Sequence, residues 1–235
     1  MSVFDVIAFD ADDTLWHNES IYMGVQEKFA HLLAPYEQPG VVASRLYQTE
    51  AQNIRSFGYG IKSFTLSMIE TAVEISGGRI SAMEVQAIID LGKGMLNVDV
   101  ELLDHAAETI ALLAPSYRLM VITKGDLQDQ QRKISRSGLG HYFGMIEVVN
   151  DKTTEIYKQL LRKLKIKAGC FLMVGNSLRS DILPILELGE QAVYIPYEIT
   201  WQHESAEIPP AGTRGFHQLD DLSMLPGLIE QLEKN

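Results

Sequence analysis

Cysteine is almost absent from the sequence, since Cys170 is the single cysteine among 235 residues. One thiol cannot form a disulfide within the chain, which excludes a disulfide-stapled secreted scaffold. No basic region precedes the N-terminal apolar run, so we expect no signal peptide. Both features predict a protein of the reducing cytoplasm.

Long apolar runs and an excess of basic residues are missing as well. No apolar stretch approaches the ~20 residues that a membrane-spanning helix needs. The chain has 20 basic and 31 acidic residues, a formal net charge of −11, whereas binding to nucleic acid or anionic lipid needs a basic face. We therefore expect no nucleic-acid partner and no membrane partner. No pattern in the sequence predicts an oligomeric state.

The hydrophobic residues, 46% of the chain, follow two different patterns. In residues 16–97 they recur at helical spacing, and breaks such as Gly77-Gly78 and Gly92-Lys93-Gly94 separate four or five predicted helices. From about residue 99, short apolar runs alternate with helical patterns. This alternation is typical of a parallel sheet that is covered by helices on both faces.

The predicted fold class is α/β, a Rossmann-like parallel sheet with helices on both faces and an inserted all-helical domain. Residues 1–15 and 98–235 are assigned to the α/β core domain, and residues 16–97 to the helical insertion. The predicted strands comprise residues 3–8, 118–122, 145–149, 171–174 and 191–195. The predicted core helices comprise residues 100–113, 127–137, 155–165, 182–188 and 222–233.

Polar residues follow the first four predicted strands. Ligands of parallel α/β sheets bind beyond the carboxyl ends of the strands, so these residues are expected to converge on one edge. In chain order they are Asp10, Asp12 and Asp13, then Thr123 and Lys124, then Lys152, and then Asn176 and Asp181. Taken alone, the acidic run at residues 10–13 also fits a solvated turn. The other strand ends favour a site.

The acidic residues suit a metal-assisted reaction. Asp10 and Asp12 are two positions apart, so extended backbone points both side chains to one side, where one carboxylate can attack and the other can carry a proton. Mg²⁺ prefers carboxylate and carbonyl oxygens and would suppress their repulsion. Asp181 offers a second metal carboxylate, and Asn176 offers an oxygen directly or through water.

Three further residues suit a phosphoryl group. Thr123 offers a hydroxyl, Lys124 a backbone N–H group and Lys152 a full positive charge. Phosphoryl transfer needs positioning and charge stabilisation of this kind. The predicted phosphate-binding residues are therefore Thr123, Lys124 and Lys152.

Four ordered motifs resemble those of the haloacid dehalogenase superfamily: the run at residues 10–14, Thr123, Lys152 and the run at residues 175–181. The resemblance implies that Asp10 is the nucleophile that becomes an aspartyl phosphate. It implies that Asp12 protonates the leaving group and then activates water. It also implies that Thr123 and Lys152 bind the phosphoryl group.

The same resemblance extends to the metal and to the insertion. It implies that Asp10, Asp181 and the main-chain carbonyl of Asp12 bind Mg²⁺, and that residues 16–97 form a cap domain. Many relatives carry an aspartate where this chain has Asn176, which lowers the charge of the predicted metal site by one unit. Members that cleave carbon–halogen bonds lack an acid at the position of Asp12, so Asp12 favours phosphoryl chemistry.

The predicted function is that of a Mg²⁺-dependent phosphatase acting on a small phosphorylated metabolite. A phosphomutase or phosphotransferase would use the same site, with an organic hydroxyl in place of water. A binding or regulatory module with little turnover is an alternative of another class, and Asn176 is the feature that favours it.

Two segments that contain a tryptophan, around Trp16 and Trp201, are further candidates for the edge of the predicted site. Trp16 is interpreted either as a residue lining the entrance or as a packing anchor. Residues 201–204 follow the fifth predicted strand and could reach the edge of the site. A lone histidine such as His203 is more often structural.

Overall fold

A six-stranded parallel sheet forms the centre of the larger of two compact units. The computed structural model describes residues 3–199, 201 and 204–234. Within these residues the strand order is β3-β2-β1-β4-β5-β6, and every neighbouring pair is parallel. The strands are β1 (Val6–Phe9), β2 (Arg118–Lys124), β3 (Phe143–Val149), β4 (Phe171–Gly175), β5 (Gln191–Tyr194) and β6 (Phe216–Gln218). This order reverses direction at β1, where α/β sheets hold their ligands.

Helices cover both faces of this sheet. Because successive strand residues point to opposite faces, Ile7 and Phe9 of β1 belong to one core cluster, whereas Val6 and Ala8 belong to another. The helices of this unit are α5 (Ala106–Leu113), α7 (Thr154–Lys163), α8 (Leu183–Glu187) and α9 (Leu225–Lys234), together with the part of α6 (Leu127–Arg136) that begins at Gln131. Residues of α5 and α9 pack in the first cluster, and residues of α7 and α8 pack in the second. The predicted Rossmann-like α/β fold is confirmed.

The second compact unit is helical. It comprises Asn18–Asp99 together with Gly125–Gln130, whereas the sheet unit comprises Met1–His17, Val100–Lys124 and Gln131–Asn235. Its helices are α1 (Glu19–Leu32), α2 (Pro39–Phe57), α3 (Ile61–Ile75) and α4 (Ala82–Leu96). They bury a separate core around Phe29, Leu46 and Met68. Four helices in the described part of this insertion agree with the sequence pattern.

One of the predicted helix breaks is wrong. Gly92 and Gly94 lie inside α4 rather than between two helices. A Cβ atom at Gly92 would collide with the side chain of Thr65 on α3. The glycine therefore allows α3 and α4 to approach closely, which is a packing role that sequence spacing alone does not distinguish from a break.

The predicted helix at residues 100–113 is wrong in its first half, because α5 begins at Ala106. Leu102 instead forms an antiparallel bridge with Trp16. His105 then adopts a left-handed conformation with φ 65°, which no α-helix interior accommodates. Tertiary pairing with the segment after β1 therefore overrides the local helical pattern.

The sequence pattern does not predict β6, and it predicts β2 and β3 to be shorter than they are. β6 has three residues, none of them fully buried, so it carries no apolar run that would predict a strand. β2 and β3 each extend to seven residues, and the longer β2 brings Thr123 and Lys124 into the strand itself. Among the described helices, none combines the length and the apolar character that crossing a membrane requires.

Candidate active site

Asp10, Lys152 and Asp181 form a buried cluster at the carboxyl edge of the sheet. Asp10 directly follows β1, Lys152 follows β3, and Asp181 lies in a π-helical turn, Leu178–Ile182, that follows β4. The Lys152 Nζ atom donates to Asp10 Oδ1, and it lies 2.7 Å from Asp181 Oδ1. The three residues are 8%, 3% and 0% exposed. Two carboxylates thus share one ammonium group away from solvent.

The backbone holds the two carboxylates firmly. Asp10 N donates to Val174 O at 2.9 Å, which continues the β1–β4 pairing beyond the end of β1. Ser177 N donates to Asp181 Oδ2 at 3.0 Å, and Ser180 N donates to Ser177 Oγ at 3.0 Å. The π-helical turn, a feature frequent at functional sites, therefore orients Asp181 from within the same loop.

The charges in this cluster do not balance. Burial raises the pKa of Asp10 to about 7, against the lowering effect of Lys152, and the negative charges of Asp181 and Asp12 raise it further. Burial also raises the pKa of Asp181. Burial alone would lower the pKa of Lys152, but the two carboxylates more than offset this and raise it. The cluster therefore carries excess negative charge that an additional cation would stabilise.

Thr14 connects the first and fourth motifs. Its hydroxyl lies 3.3 Å from Asp10 Oδ2 and 3.1 Å from Asn176 Oδ1, and Asn176 N donates to Thr14 Oγ1 at 3.1 Å. A hydroxyl has one hydrogen, so Thr14 can donate to either oxygen but not to both at once. The sequence identified Thr14 as part of a motif without assigning it this contact.

Thr123 and Lys124, both predicted to bind phosphate, end β2 at the same edge of the sheet. Thr123 is buried, and its hydroxyl donates to Lys124 O at 3.3 Å. The Lys124 ammonium donates to Ser180 Oγ at 2.9 Å and forms an ion pair with Glu204. The Lys124 side chain is therefore engaged with two other residues of the site, and the phosphate contact predicted for its backbone N–H stays a prediction.

Glu204 links the end of β2 to the loop that follows β4. Its carboxylate accepts hydrogen bonds from Lys124, Ser177 and Ser180. Burial would raise the pKa of Glu204, but Lys124 and the two hydroxyls more than offset this effect and lower it. The sequence predicted only that residues 201–204 could reach the edge of the site. The neighbouring His203 lies outside the described residues.

Asp12 is held by two donors that the sequence did not predict. Trp16 Nε1 donates to Asp12 Oδ1 at 2.7 Å, and Lys133 Nζ donates to the same oxygen at 3.0 Å. Trp16 is 1% exposed and belongs to the core, so its interpretation as a packing anchor is correct but incomplete. Asp13 has φ 60° and donates its N–H to Trp16 O, so it lies in the turn between Asp12 and Trp16.

This fold and this buried acidic site define a Rossmann-like α/β enzyme whose carboxylates meet at the end of β1. The model of the haloacid dehalogenase-like hydrolase family matches residues 4–189, and the chain belongs to this family. A solved structure of a haloacid dehalogenase-like family hydrolase from Xanthomonas campestris is 36% identical. It has a TM-score of 0.88 and covers 100% of this chain and 98% of that chain.

Two curated relatives are phosphatases. Glyceraldehyde 3-phosphate phosphatase of Methanothermobacter thermautotrophicus is 29% identical over 125 residues, which cover 51% of this chain and 54% of that protein. The 5-amino-6-(5-phospho-D-ribitylamino)uracil phosphatase YigB of Escherichia coli is 25% identical over 206 residues, which cover 80% of this chain and 82% of that protein. This chain therefore spans about half the length of the first relative and most of the second. The family match confirms the prediction of a hydrolase.

Proposed function

We propose that this chain is a Mg²⁺-dependent phosphatase that hydrolyses a small phosphorylated metabolite through an aspartyl phosphate on Asp10. The observation that carries the proposal is the buried cluster in which Lys152 contacts both Asp10 and Asp181. A buried carboxylate beside a fixed cation is suited to attack a phosphoryl group, because the cation favours its ionised form. Two relatives are phosphatases, which supports the same class of substrate.

The donor set of the site fits Mg²⁺. In the described part of the chain, no three His, Cys, Asp or Glu side chains gather as a metal cluster. Mg²⁺ does not require three, because it usually binds through one or two carboxylates together with waters and substrate phosphates. Asp10, Asp181 and the main-chain carbonyl of Asp12 would hold the ion, and Asn176 would assist. When bound, Mg²⁺ would supply positive charge to the phosphoryl oxygens.

In the first half of the proposed reaction, a carboxylate oxygen of Asp10 attacks phosphorus. The bond from phosphorus to Asp10 forms as the bond to the ester oxygen breaks, and Asp12 donates a proton to that leaving oxygen. Lys152 balances the negative charge of Asp10. Thr123 and the backbone N–H of Lys124 hold the phosphoryl oxygens, which are positioned for in-line transfer.

In the second half, water releases the phosphate. Asp12, now ionised, removes a proton from a water molecule, whose oxygen bonds to phosphorus as the bond to Asp10 breaks. Inorganic phosphate leaves, and both carboxyl groups return to their starting states. In a phosphotransferase an organic hydroxyl would take the place of this water.

A panel of phosphorylated metabolites, assayed with Mg²⁺ and with a chelator, tests the proposal. We expect the wild-type protein to hydrolyse at least one ester with Mg²⁺ and none after chelation. Asp10→Asn should abolish turnover, whereas Asp5→Asn is a matched control because Asp5 is an exposed residue before the same strand. Wild-type hydrolysis by Asp10→Asn, purified free of host phosphatases, would contradict the mechanism.

The alternatives predict other outcomes of the same panel. A phosphomutase would convert one sugar phosphate into its isomer without net release of phosphate. A binding module would bind Mg²⁺ or phosphate and release no product from any ester. We further propose, from the family resemblance, that residues 16–97 are a cap domain, that residues 1–15 and 98–235 are the core, and that the protein is cytoplasmic.

A further inference from the structure

Trp16 and Lys133 donate to one and the same oxygen of Asp12. The indole Nε1 atom lies 2.7 Å from Oδ1, and the Lys133 Nζ atom lies 3.0 Å from it. The Lys133 and Asp12 side chains are 15% and 22% exposed, so the ion pair is largely sheltered from solvent. A sheltered, charge-assisted hydrogen bond restricts a carboxylate more than an exposed pair does.

Both donors come from well-fixed parts of the structure. Trp16 is fully buried, and its backbone is fixed by a parallel bridge to Asp12 and an antiparallel bridge to Leu102. Lys133 lies on α6 next to Ile134, which is buried in the same core cluster as Trp16. The two donors therefore approach Asp12 from two different segments of the sheet unit, the turn after β1 and α6.

We propose that Trp16 and Lys133 are positioning residues for Asp12, and that together they hold its carboxyl group in the orientation in which it exchanges a proton with the leaving group. Both N–H donors contact the same oxygen, Oδ1. They therefore fix the position of Oδ1 and, with it, the orientation of the whole carboxyl group. The inference rests on the proposed function, because it assigns the geometry of the proton donor in that reaction.

This role has a specific kinetic consequence. A leaving group that is stable as an anion departs without a proton, whereas a basic leaving group depends on general acid catalysis. Loss of carboxylate orientation should therefore slow the hydrolysis of phenyl phosphate more than that of 4-nitrophenyl phosphate. A variant that only disturbs folding or substrate binding should slow both esters equally.

Lys133→Met and Trp16→Phe test the inference, the latter because it removes the indole N–H but keeps an aromatic ring in the core. We expect kcat/KM for phenyl phosphate to fall about tenfold more than that for 4-nitrophenyl phosphate, a part of the 10²–10⁴-fold that general acid catalysis typically supplies. Lys133→Arg should restore most of the difference. Lys163→Met is the control, since the exposed Lys163 side chain pairs with Glu147 of β3 at 2.8 Å.

Each other outcome contradicts the positioning role. Equal losses of kcat/KM on the two esters would mean that Trp16 and Lys133 have a purely structural role. Unchanged kcat/KM on both esters would mean that neither residue contributes to the reaction. A gain in rate would mean that the donors hold Asp12 in an unproductive orientation. If Trp16→Phe does not fold, Lys133→Met decides the question. A wild-type protein that hydrolyses neither ester nor any member of the metabolite panel would instead show that the proposed function has failed, and the inference with it.

Discussion

Gly175 and Asp181 approach each other so closely that no side chain fits between them. A Cβ atom built on Gly175 would lie 2.6 Å from the Cβ atom of Asp181 and closer still to its carboxylate. The Asp181 side chain cannot move away, because it is fully buried and accepts hydrogen bonds from Lys152 and Ser177. The glycine at the end of β4 is therefore a steric requirement of the carboxylate cluster.

Gly175→Ala should consequently displace Asp181 and disrupt its contact with Lys152. A misplacement of about 1 Å in a catalytic group can cost about 10²-fold in rate, so we expect a loss of about that size in kcat/KM for any ester that the wild type hydrolyses. Gly144→Ala is the matched control, because a Cβ atom at Gly144 on β3 meets nothing within 4 Å. Equal activity of the two variants would contradict this steric account.

Removal of Mg²⁺ should lower the thermal stability of the wild-type protein. A ligand that binds only the folded state at 100 times its dissociation constant stabilises that state by about 2.7 kcal/mol. We therefore expect the melting temperature to rise with Mg²⁺ and to return to its starting value with a chelator. This measurement reports metal binding without any substrate.

Asp181→Asn should abolish the stabilisation by Mg²⁺. This variant keeps Lys152 paired with Asp10, so the buried cluster becomes balanced in charge and the fold should survive. It also lacks one of the two proposed metal carboxylates. A rise in melting temperature equal to that of the wild type would exclude Asp181 as a ligand.

Glu204→Gln should destabilise the fold and loosen the contact between the end of β2 and the loop after β4. The carboxylate of Glu204 serves three donors at once, and a neutral amide with one accepting oxygen cannot replace it. Removing one partner of a charged hydrogen bond costs roughly 1.5–3 kcal/mol. Urea denaturation measures this loss. Glu198→Gln, at an exposed position of the same segment, should have no effect, and equal stability of the two variants would rule out the network.

The main parts of the candidate site could be predicted because the sheet itself brings them together. Asp10, Lys152 and Asp181 are separated by up to 171 positions, yet each follows a strand of one parallel sheet. The carboxyl ends of parallel strands meet at one edge, so the alternation of strands and helices was enough to predict their convergence. The sequence pattern also predicts the bounds of most strands to within a few residues of those in the structure.

The supporting contacts could not be predicted in this way. Lys133 reaches Asp12 across 121 positions, and Lys124 reaches Glu204 across 80. Lys133 lies within a helix and Glu204 beyond the fifth strand, and neither position marks a strand end. Which charged residue of a helix faces a site depends on how that helix packs, and helical periodicity alone does not determine this. The same limit explains residues 100–105, where pairing with the segment after β1 replaces the predicted helical turn.

Glu50 is a buried carboxylic acid on α2 of the helical unit. Burial raises its pKa from 4.5 to about 8, so between these values the folded state binds a proton that the unfolded state releases. The free energy of unfolding should therefore decrease as the pH rises through this window, by at most about 1.4 kcal/mol per pH unit. Denaturant titrations across the window should show that Glu50→Gln removes this contribution, whereas Glu27→Gln, at an exposed position of α1, keeps it. If the free energy of unfolding depends on pH in the same way in the wild type and in Glu50→Gln, Glu50 is ionised in the folded protein. A cation would then compensate for the burial of its negative charge.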